Sequence, residues 1–304
     1  MRVLISGSTG FLGTALVEKL SGEGHEVARL VRRGTALKQA AGQAHTISWD
    51  PVVGEFDAAS AEGADTLVHL AGASIAGGRW NASRKELLRT SRIDATRHLM
   101  GALAKLQRPP HAIVAASAIG YYGDRGDETL TEGSTPGSDF LAGACREWEA
   151  EAARGAEFGA RVVRLRFGII LAKHGGALPQ MAMPIKLGVG GRLGSGRQWM
   201  SWVTLEDTVR IVEFALANSG LAGPVNVVAP NPAQNGEFTK VLAKTLHRPA
   251  SFPAPAFALR LALGEMADAL LLVSQKVVPS KLVEAGYSFQ QPNLASALKD
   301  VYRR

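Results

Sequence analysis

Three glycines stand three residues apart in Gly7-Ser8-Thr9-Gly10-Phe11-Leu12-Gly13. A pyrophosphate bound at the start of a helix needs free backbone N–H groups and no side chain in the way, and glycine meets both needs. The run follows the apolar stretch Val3-Leu4-Ile5 and opens residues 11–21, where Leu12, Leu16 and Leu20 recur on one helical face. Strand, glycine turn and helix in that order point to nucleotide binding; a plain glycine-rich turn between the two elements is the alternative. The spacing is one residue longer than G-x-G-x-x-G. Gly7, Thr9, Gly10, Phe11, Leu12 and Gly13 are the first candidate cofactor residues.

The second apolar run, Val27–Val31, ends in Arg32-Arg33. In NAD-binding folds an acidic residue near this place takes the ribose 2′-hydroxyl. Here two guanidinium groups replace it, and their planar forks match phosphate oxygens. The pair selects NADP(H) over NAD(H), with a solvated basic turn as the bland alternative. Trp49-Asp50, closing the third run, is expected to border the adenine.

Stepping along the chain, further strands are expected at Thr46–Trp49, Thr66–Leu70, Ala112–Ser117 and Arg161–Leu171, with helices over residues 84–106 and 139–154. Such alternation implies parallel pairing with right-handed crossovers. The fold class is therefore α/β, a Rossmann-type doubly wound parallel sheet with a smaller, mostly helical C-terminal lobe. After residue 171 the rhythm breaks into a glycine-rich stretch from Gly188 to Gly196, a helix near 205–217, a strand at Val225–Val228 and a proline-rich connector over 249–255. The expected division is an NADP(H)-binding core of residues 1–171, to which 203–230 return, and a substrate-side lobe of 172–202 and 231–304.

Composition narrows the class. Hydrophobic residues make up 46% of the 304 and charged residues 20%, as in globular proteins. The net charge of +7 is spread as +2, +3 and +2 over residues 1–100, 101–200 and 201–304, not gathered into the patch that duplex binding needs. The apolar stretch 256–275 carries Arg260, Glu265 and Asp268, which argues against a membrane span. Cys145 is the sole cysteine and the first strand starts at Arg2, so a cytoplasmic location is expected. The seven histidines are scattered singly, and no metal site is expected. Glu147, Glu149 and Glu151 alternate along one helix and read as a solvated face.

Four segments together resemble a known family: the glycine loop, Leu70-Ala71-Gly72-Ala73-Ser74-Ile75, Ser117-Ala118-Ile119-Gly120-Tyr121-Tyr122-Gly123, and Leu193 to Trp202. Over nearly its whole length the chain is similar to atypical extended short-chain dehydrogenases/reductases, the epimerase-like proteins of the YfcH type that end in a small domain of unassigned function. The resemblance implies a Rossmann-type core, NADP(H), and a cleft walled on one side by the C-terminal lobe. It places Leu70, Ala71 and Gly72 beneath the cofactor, adds Ile170 to the cofactor set, and puts Arg92 where extended members commonly have a cofactor-facing asparagine. Arg92 also falls on the apolar stripe of Leu88, Ala95, Leu99 and Leu103, so it should meet an anion, either a cofactor phosphate or a structural carboxylate.

The resemblance also implies a Tyr-x-x-x-Lys pair and a serine, the tyrosine exchanging a proton while hydride moves at the nicotinamide. Ser117 stands at the end of the fifth strand as expected, but Leu141 and Cys145 occupy the places of the pair. Tyr121 and Tyr122 are the remaining candidates for the acid; packing tyrosines are the alternative. Met200 replaces an arginine that would hold a sugar diphosphate, so the expected substrate is a small molecule other than a nucleotide sugar. Two functions are open: an NADP(H)-dependent oxidoreductase of epimerase type, or an NADPH-binding regulatory or scaffold protein with little catalysis. Neither nucleic acid nor membrane is an expected partner, and exposed helix faces permit a homodimer.

Overall fold

The computed structural model of the protein describes residues 1–32 and 45–303. The chain opens with β1 (Arg2–Ser6), α1 (Phe11–Gly22), β2 (Glu26–Val31) and β3 (His45–Ser48). A one-turn helix, α2 (Ala58–Ala61), leads to β4 (Thr66–His69); α3 (Ala82–Thr90) and α4 (Ile93–Leu103) precede β5 (Ala112–Ala118). Next come β6 (Thr129–Leu130), α5 (Phe140–Ala153), β7 (Arg161–Phe167), β8 (Ile169–Leu171), α6 (Leu178–Lys186), β9 (Trp199–Met200), β10 (Trp202–Thr204), α7 (Leu205–Ala217) and β11 (Gly223–Val227). The chain then runs through β12 (Ala233–Gln234), α8 (Asn235–Leu246), α9 (Ala256–Leu263), β13 (Lys276–Val277), α10 (Ser280–Glu284) and α11 (Leu294–Arg303).

Among the described residues, seven strands form one parallel sheet in the order β11-β7-β5-β4-β1-β2-β3. A sheet covered on both faces favours strands that are apolar on both sides, which is why β1, β4 and β5 read as hydrophobic runs, while β2 and β7 carry buried arginines. One face carries Val3, Ile5 and Val163 against Leu16 and Leu20 of α1 and Ile211 and Val212 of α7. The other carries Leu4, Leu67 and Ile113 against Leu99 and Leu103 of α4. The fold is Rossmann-like, and the strand order reverses between β1 and β4. Ligands of open α/β sheets bind above the carboxyl ends of the strands at such a reversal. A separate core, with Leu178, Trp202, Phe238 and Leu298, builds the C-terminal lobe.

Three sequence expectations are corrected. The helix expected over 84–106 is two helices, α3 and α4, because Ser91 and Arg92 turn their side chains to the loop after β4: Ser91 Oγ accepts from Ala73 N–H at 3.1 Å. The strand expected over Arg161–Leu171 breaks at Gly168, where a Cβ would sit 2.6 Å from the Ser201 carbonyl oxygen. Beyond the break β8 leaves the sheet and pairs with β10. Glu149 is not on a solvated face; it is buried.

Residues 287–291 of the chain's C-terminal part are tied to α7 by Asp207, in its first turn. Its buried carboxylate accepts from the Tyr287 hydroxyl, Gln290 N–H and Gln291 N–H, each at 3.0 Å.

His69 ends β4 fully enclosed, hydrogen-bonded to Ser6 Oγ at 2.6 Å and Thr96 Oγ1 at 2.8 Å. Burial pushes its pKa down to about 4, from 6.5. The folded imidazole stays neutral while the unfolded one gains a proton below pH 6.5, so its contribution is whole above that pH and is lost as pH falls toward 4. That linkage amounts to about 3 kcal/mol. Urea unfolding at pH 7 and pH 4.5 should show a larger acid-induced loss for the native protein than for His69→Asn. Equal losses would remove His69 as the source.

Candidate functional site

The loop of Gly7 to Gly13 is shaped by two close approaches. Gly7 has φ +69°, and a Cβ there would lie 2.6 Å from the Leu70 carbonyl carbon. A Cβ on Gly13 would lie 2.2 Å from the Gly7 carbonyl oxygen. The loop thus packs on the end of β4 and α1 packs on the loop, backbone to backbone. Gly10 caps α1 with no side-chain hydrogen bond. The first-turn N–H groups of Phe11, Leu12 and Gly13 have no intrahelical acceptor. Bare donors at a positive helix end are what a diphosphate requires. Thr9 is exposed beside them, and Leu12 faces the core. A Cβ on Gly175 would lie 3.2 Å from the Phe11 ring and one on Gly176 3.3 Å from the Ile170 carbonyl oxygen, so Phe11 and Ile170 are close neighbours of this glycine pair.

Arg32 is exposed at the carboxyl end of β2, on the β2 side of the strand reversal. Arg33 lies outside the described residues. Trp49 is buried, its ring edge-on to His69, and so belongs to the core and not to an adenine rim. Sequence reasoning missed Arg29, a buried arginine on β2 whose Nε donates to Ser8 Oγ of the glycine loop at 3.4 Å. A charge between Ala28 and Leu30, inside an otherwise apolar strand, was the available signal.

On the β4 side, Leu70, Ala71 and Gly72 continue from the strand end, and a Cβ on Gly72 would meet the Arg92 side chain at 3.4 Å. Arg92 Nη1 donates to the Leu88 carbonyl at 3.0 Å and Nη2 to the Ala73 carbonyl at 2.9 Å, while its guanidinium lies 5.3 Å from the Trp148 ring. Burial lowers its pKa. Among the described residues no carboxylate pairs with it, which removes the structural-carboxylate alternative.

Ser117, Tyr121 and Tyr122 meet in one network. Ser117 Oγ donates to Glu149 Oε1 at 2.7 Å. Arg166 grips the same carboxylate with Nε at 2.7 Å and Nη2 at 2.9 Å. Its Nη1 donates to the Tyr122 hydroxyl at 2.9 Å, which donates onward to Asn226 Oδ1 at 2.7 Å. The guanidinium also lies 3.5 Å from the centre of the half-buried Tyr121 ring. Burial works against the Arg166 charge, but the Glu149 carboxylate and the Tyr122 hydroxyl more than offset it and raise its pKa. Burial likewise raises the Tyr122 pKa. Leu141 and Cys145 close against Gly120 in the turn after β5. Burial pushes the Cys145 pKa up to about 12, as in a packed, protonated thiol.

Toward the C-terminal lobe, Met200 Sδ accepts from Asn235 Nδ2 at 3.3 Å, and Trp199 Nε1 donates to Asp127 Oδ1 at 2.7 Å. An open cavity of about 560 Å³ there is lined by Arg192, Ser195, Glu237 and Lys240, among others. Among the described residues no group of three His, Cys, Asp or Glu side chains is arranged to hold a metal ion, and no helix is long and apolar enough to cross a membrane.

Residues 3–229 match the NAD dependent epimerase/dehydratase family. The chain belongs to that family. Residues 254–301 match a domain of unknown function, DUF1731. This family member is 40% identical over 296 residues to an epimerase family protein of Mycobacterium bovis, covering 97% of this chain and 96% of the relative. It is 36% identical over 305 residues to epimerase family protein SDR39U1 of Bos taurus, covering 99% of each. Among solved structures it resembles human epimerase family protein SDR39U1 with NADPH, at a TM-score of 0.90 and 34% identity, covering 100% of both chains.

Proposed function

We propose that this epimerase-family protein binds NADP(H) across the β1–β4 reversal and presents it to a small substrate other than a nucleotide sugar. The observation that carries the reading is the cradle of Gly7 and Gly13, whose backbone contacts leave the first-turn amides of α1 bare. Human SDR39U1, similar over its whole length, was crystallised with NADPH, which supports the choice of cofactor. In the binding we assign, the amides of Phe11, Leu12 and Gly13 hold the diphosphate above the Gly10 cap, Arg32 with Arg33 the 2′-phosphate, and Leu70, Ala71 and Gly72 the floor. The cofactor supplies hydride when bound. Of the two tyrosines, Tyr121 is the proton donor we assign, because the Tyr122 hydroxyl is enclosed and already paired with Arg166 and Asn226. Ser117 bears on the turn that carries Tyr121 by way of Glu149 and Arg166, whose guanidinium meets the Tyr122 hydroxyl and the Tyr121 ring.

Titrating the pure protein with NADPH and with NADH tests the reading. NADPH should bind more tightly, and Arg32→Gln should narrow the difference by about tenfold, the worth of one charge-assisted phosphate contact. Equal affinity for both cofactors, unchanged in the variant, would defeat the assignment.

One observation favours the second reading, a cofactor-binding regulatory protein with little catalysis. Ser117 and Tyr122 are committed to the buried Glu149–Arg166 pair, and Leu141 and Cys145 make an apolar contact with Gly120. Oxidation of NADPH against a panel of small carbonyl compounds separates the two: turnover abolished by Tyr121→Phe supports the oxidoreductase, and tight NADPH binding without turnover supports the regulator.

A further inference from the structure

Two arginines beside the cofactor crevice are held together with no carboxylate between them. Arg92 donates to the Ala73 carbonyl, and Arg84 donates to the next one, that of Ser74. The guanidinium groups are near enough that Arg84 depresses the Arg92 pKa, after burial the main opposing influence. Arg84 Nε is enclosed and makes no hydrogen bond. Among the described residues neither side chain forms a salt bridge, although fifteen such pairs occur elsewhere in the molecule. Arg84 is in the first turn of α3, where the helix dipole opposes its charge, and Arg92 reaches the last-turn carbonyl of Leu88 in the same helix. Two like charges, partly desolvated and met only by backbone carbonyls, need a counter-charge. Gly72 and Ser74 above them are exposed, so that counter-charge can arrive from solvent.

We propose that Arg84 and Arg92 form an oxyanion subsite, and that the small molecule this protein takes carries a carboxylate or phosphate group. The proposal rests on the reading of a cofactor in the crevice and names the class of the second ligand. The cofactor's own phosphates belong elsewhere: the diphosphate to the α1 amides and the 2′-phosphate to Arg32, on the β2 side of the reversal, whereas Arg84 and Arg92 flank the loop after β4. Arg79, from the same loop, lays its guanidinium against Gly264 after α9, extending the positive surface toward the C-terminal lobe.

The test is calorimetric titration of inorganic phosphate into protein saturated with NADPH, in a buffer free of other oxyanions. Saturable binding is expected, weakened about tenfold or more by Arg84→Gln and less by Arg84→Lys, which keeps the charge without the fork. NADPH affinity should change less than about twofold in both, since Arg84 holds no cofactor phosphate. The proposal is overturned by an absence of saturable binding, by binding that Arg84→Gln leaves intact, or by phosphate that binds only cofactor-free protein and competes with NADPH, which would make the anion the cofactor's own. If Arg84→Gln fails to fold, Arg84→Lys and the competition with NADPH still decide. A protein that binds no NADPH at all refutes the cofactor reading instead; phosphate titrated into that protein and its Arg84 variants then reads the subsite alone.

Discussion

Glu149→Ala should lower the unfolding free energy by about 3–5 kcal/mol, the usual result of stranding one member of a buried ion pair. Arg166 would keep its enclosed guanidinium, flanked by Tyr121 and Tyr122, with no carboxylate to answer it. Ser117 would lose its acceptor as well. Arg164 Nη1, 3.7 Å from Glu149 Oε2, would add repulsion to the same spot. Typical domains have only about 5–15 kcal/mol in hand, so this one change threatens the fold. Urea unfolding measures it. The double variant Glu149→Ala, Arg166→Met should recover much of the loss, because an apolar pair needs no counter-charge. A single-variant loss below about 1 kcal/mol would mean that water reaches the pair and screens it.

Gly13→Ala should weaken NADPH binding by about a hundredfold or more while the protein stays folded. The added methyl would lie 2.2 Å from the Gly7 carbonyl oxygen and 2.8 Å from Ser8 Cα. Both obstacles are main chain, so no rotamer change relieves them; helix and loop must part. Parting them displaces the amides that hold the diphosphate, and losing two charge-assisted hydrogen bonds at about 1.5–3 kcal/mol each accounts for the factor. Fluorescence titration of NADPH reads it directly. Gly143→Ala is the control: it meets nothing within 4 Å at the end of the first turn of α5. It should leave NADPH affinity unchanged and stabilise the helix by roughly 0.5–1 kcal/mol. NADPH affinity for Gly13→Ala within tenfold of the native value would separate the glycine loop from cofactor binding.

The parallel sheet was legible because doubly buried strands such as β1, β4 and β5 leave apolar runs, and the glycine turn because its glycines fall between such a run and a helical stripe. The breaks were not. Ser91 and Arg92 continue the periodicity of Leu88 and Leu99, so only the tertiary pull of Ala73 reveals the joint. Gly168 reads as one residue of a long strand until Ser201 arrives from thirty-three positions away in sequence. Glu149 carried a usable signal that its charge concealed. It lies four residues after Cys145 and three before Ala152, the spacing of the buried face of α5. Arg166, set between Leu165 and Phe167, was the matching flag: a charge on a strand with no solvated face requires an opposite charge nearby.

The tether at Asp207 bears on how the chain is made. A ribosome delivers α7 some eighty residues before Tyr287, Gln290 and Gln291, so for that interval the carboxylate in its first turn lacks its final donors. Burying it early would leave a naked charge in oil. The nascent polypeptide must therefore hold the α7 layer ajar, and the edge of β7 stays without β11 until residues 223–227 emerge. A transcript cut short before codon 287 would yield a product that never closes, and proteases and chaperones recognise that state.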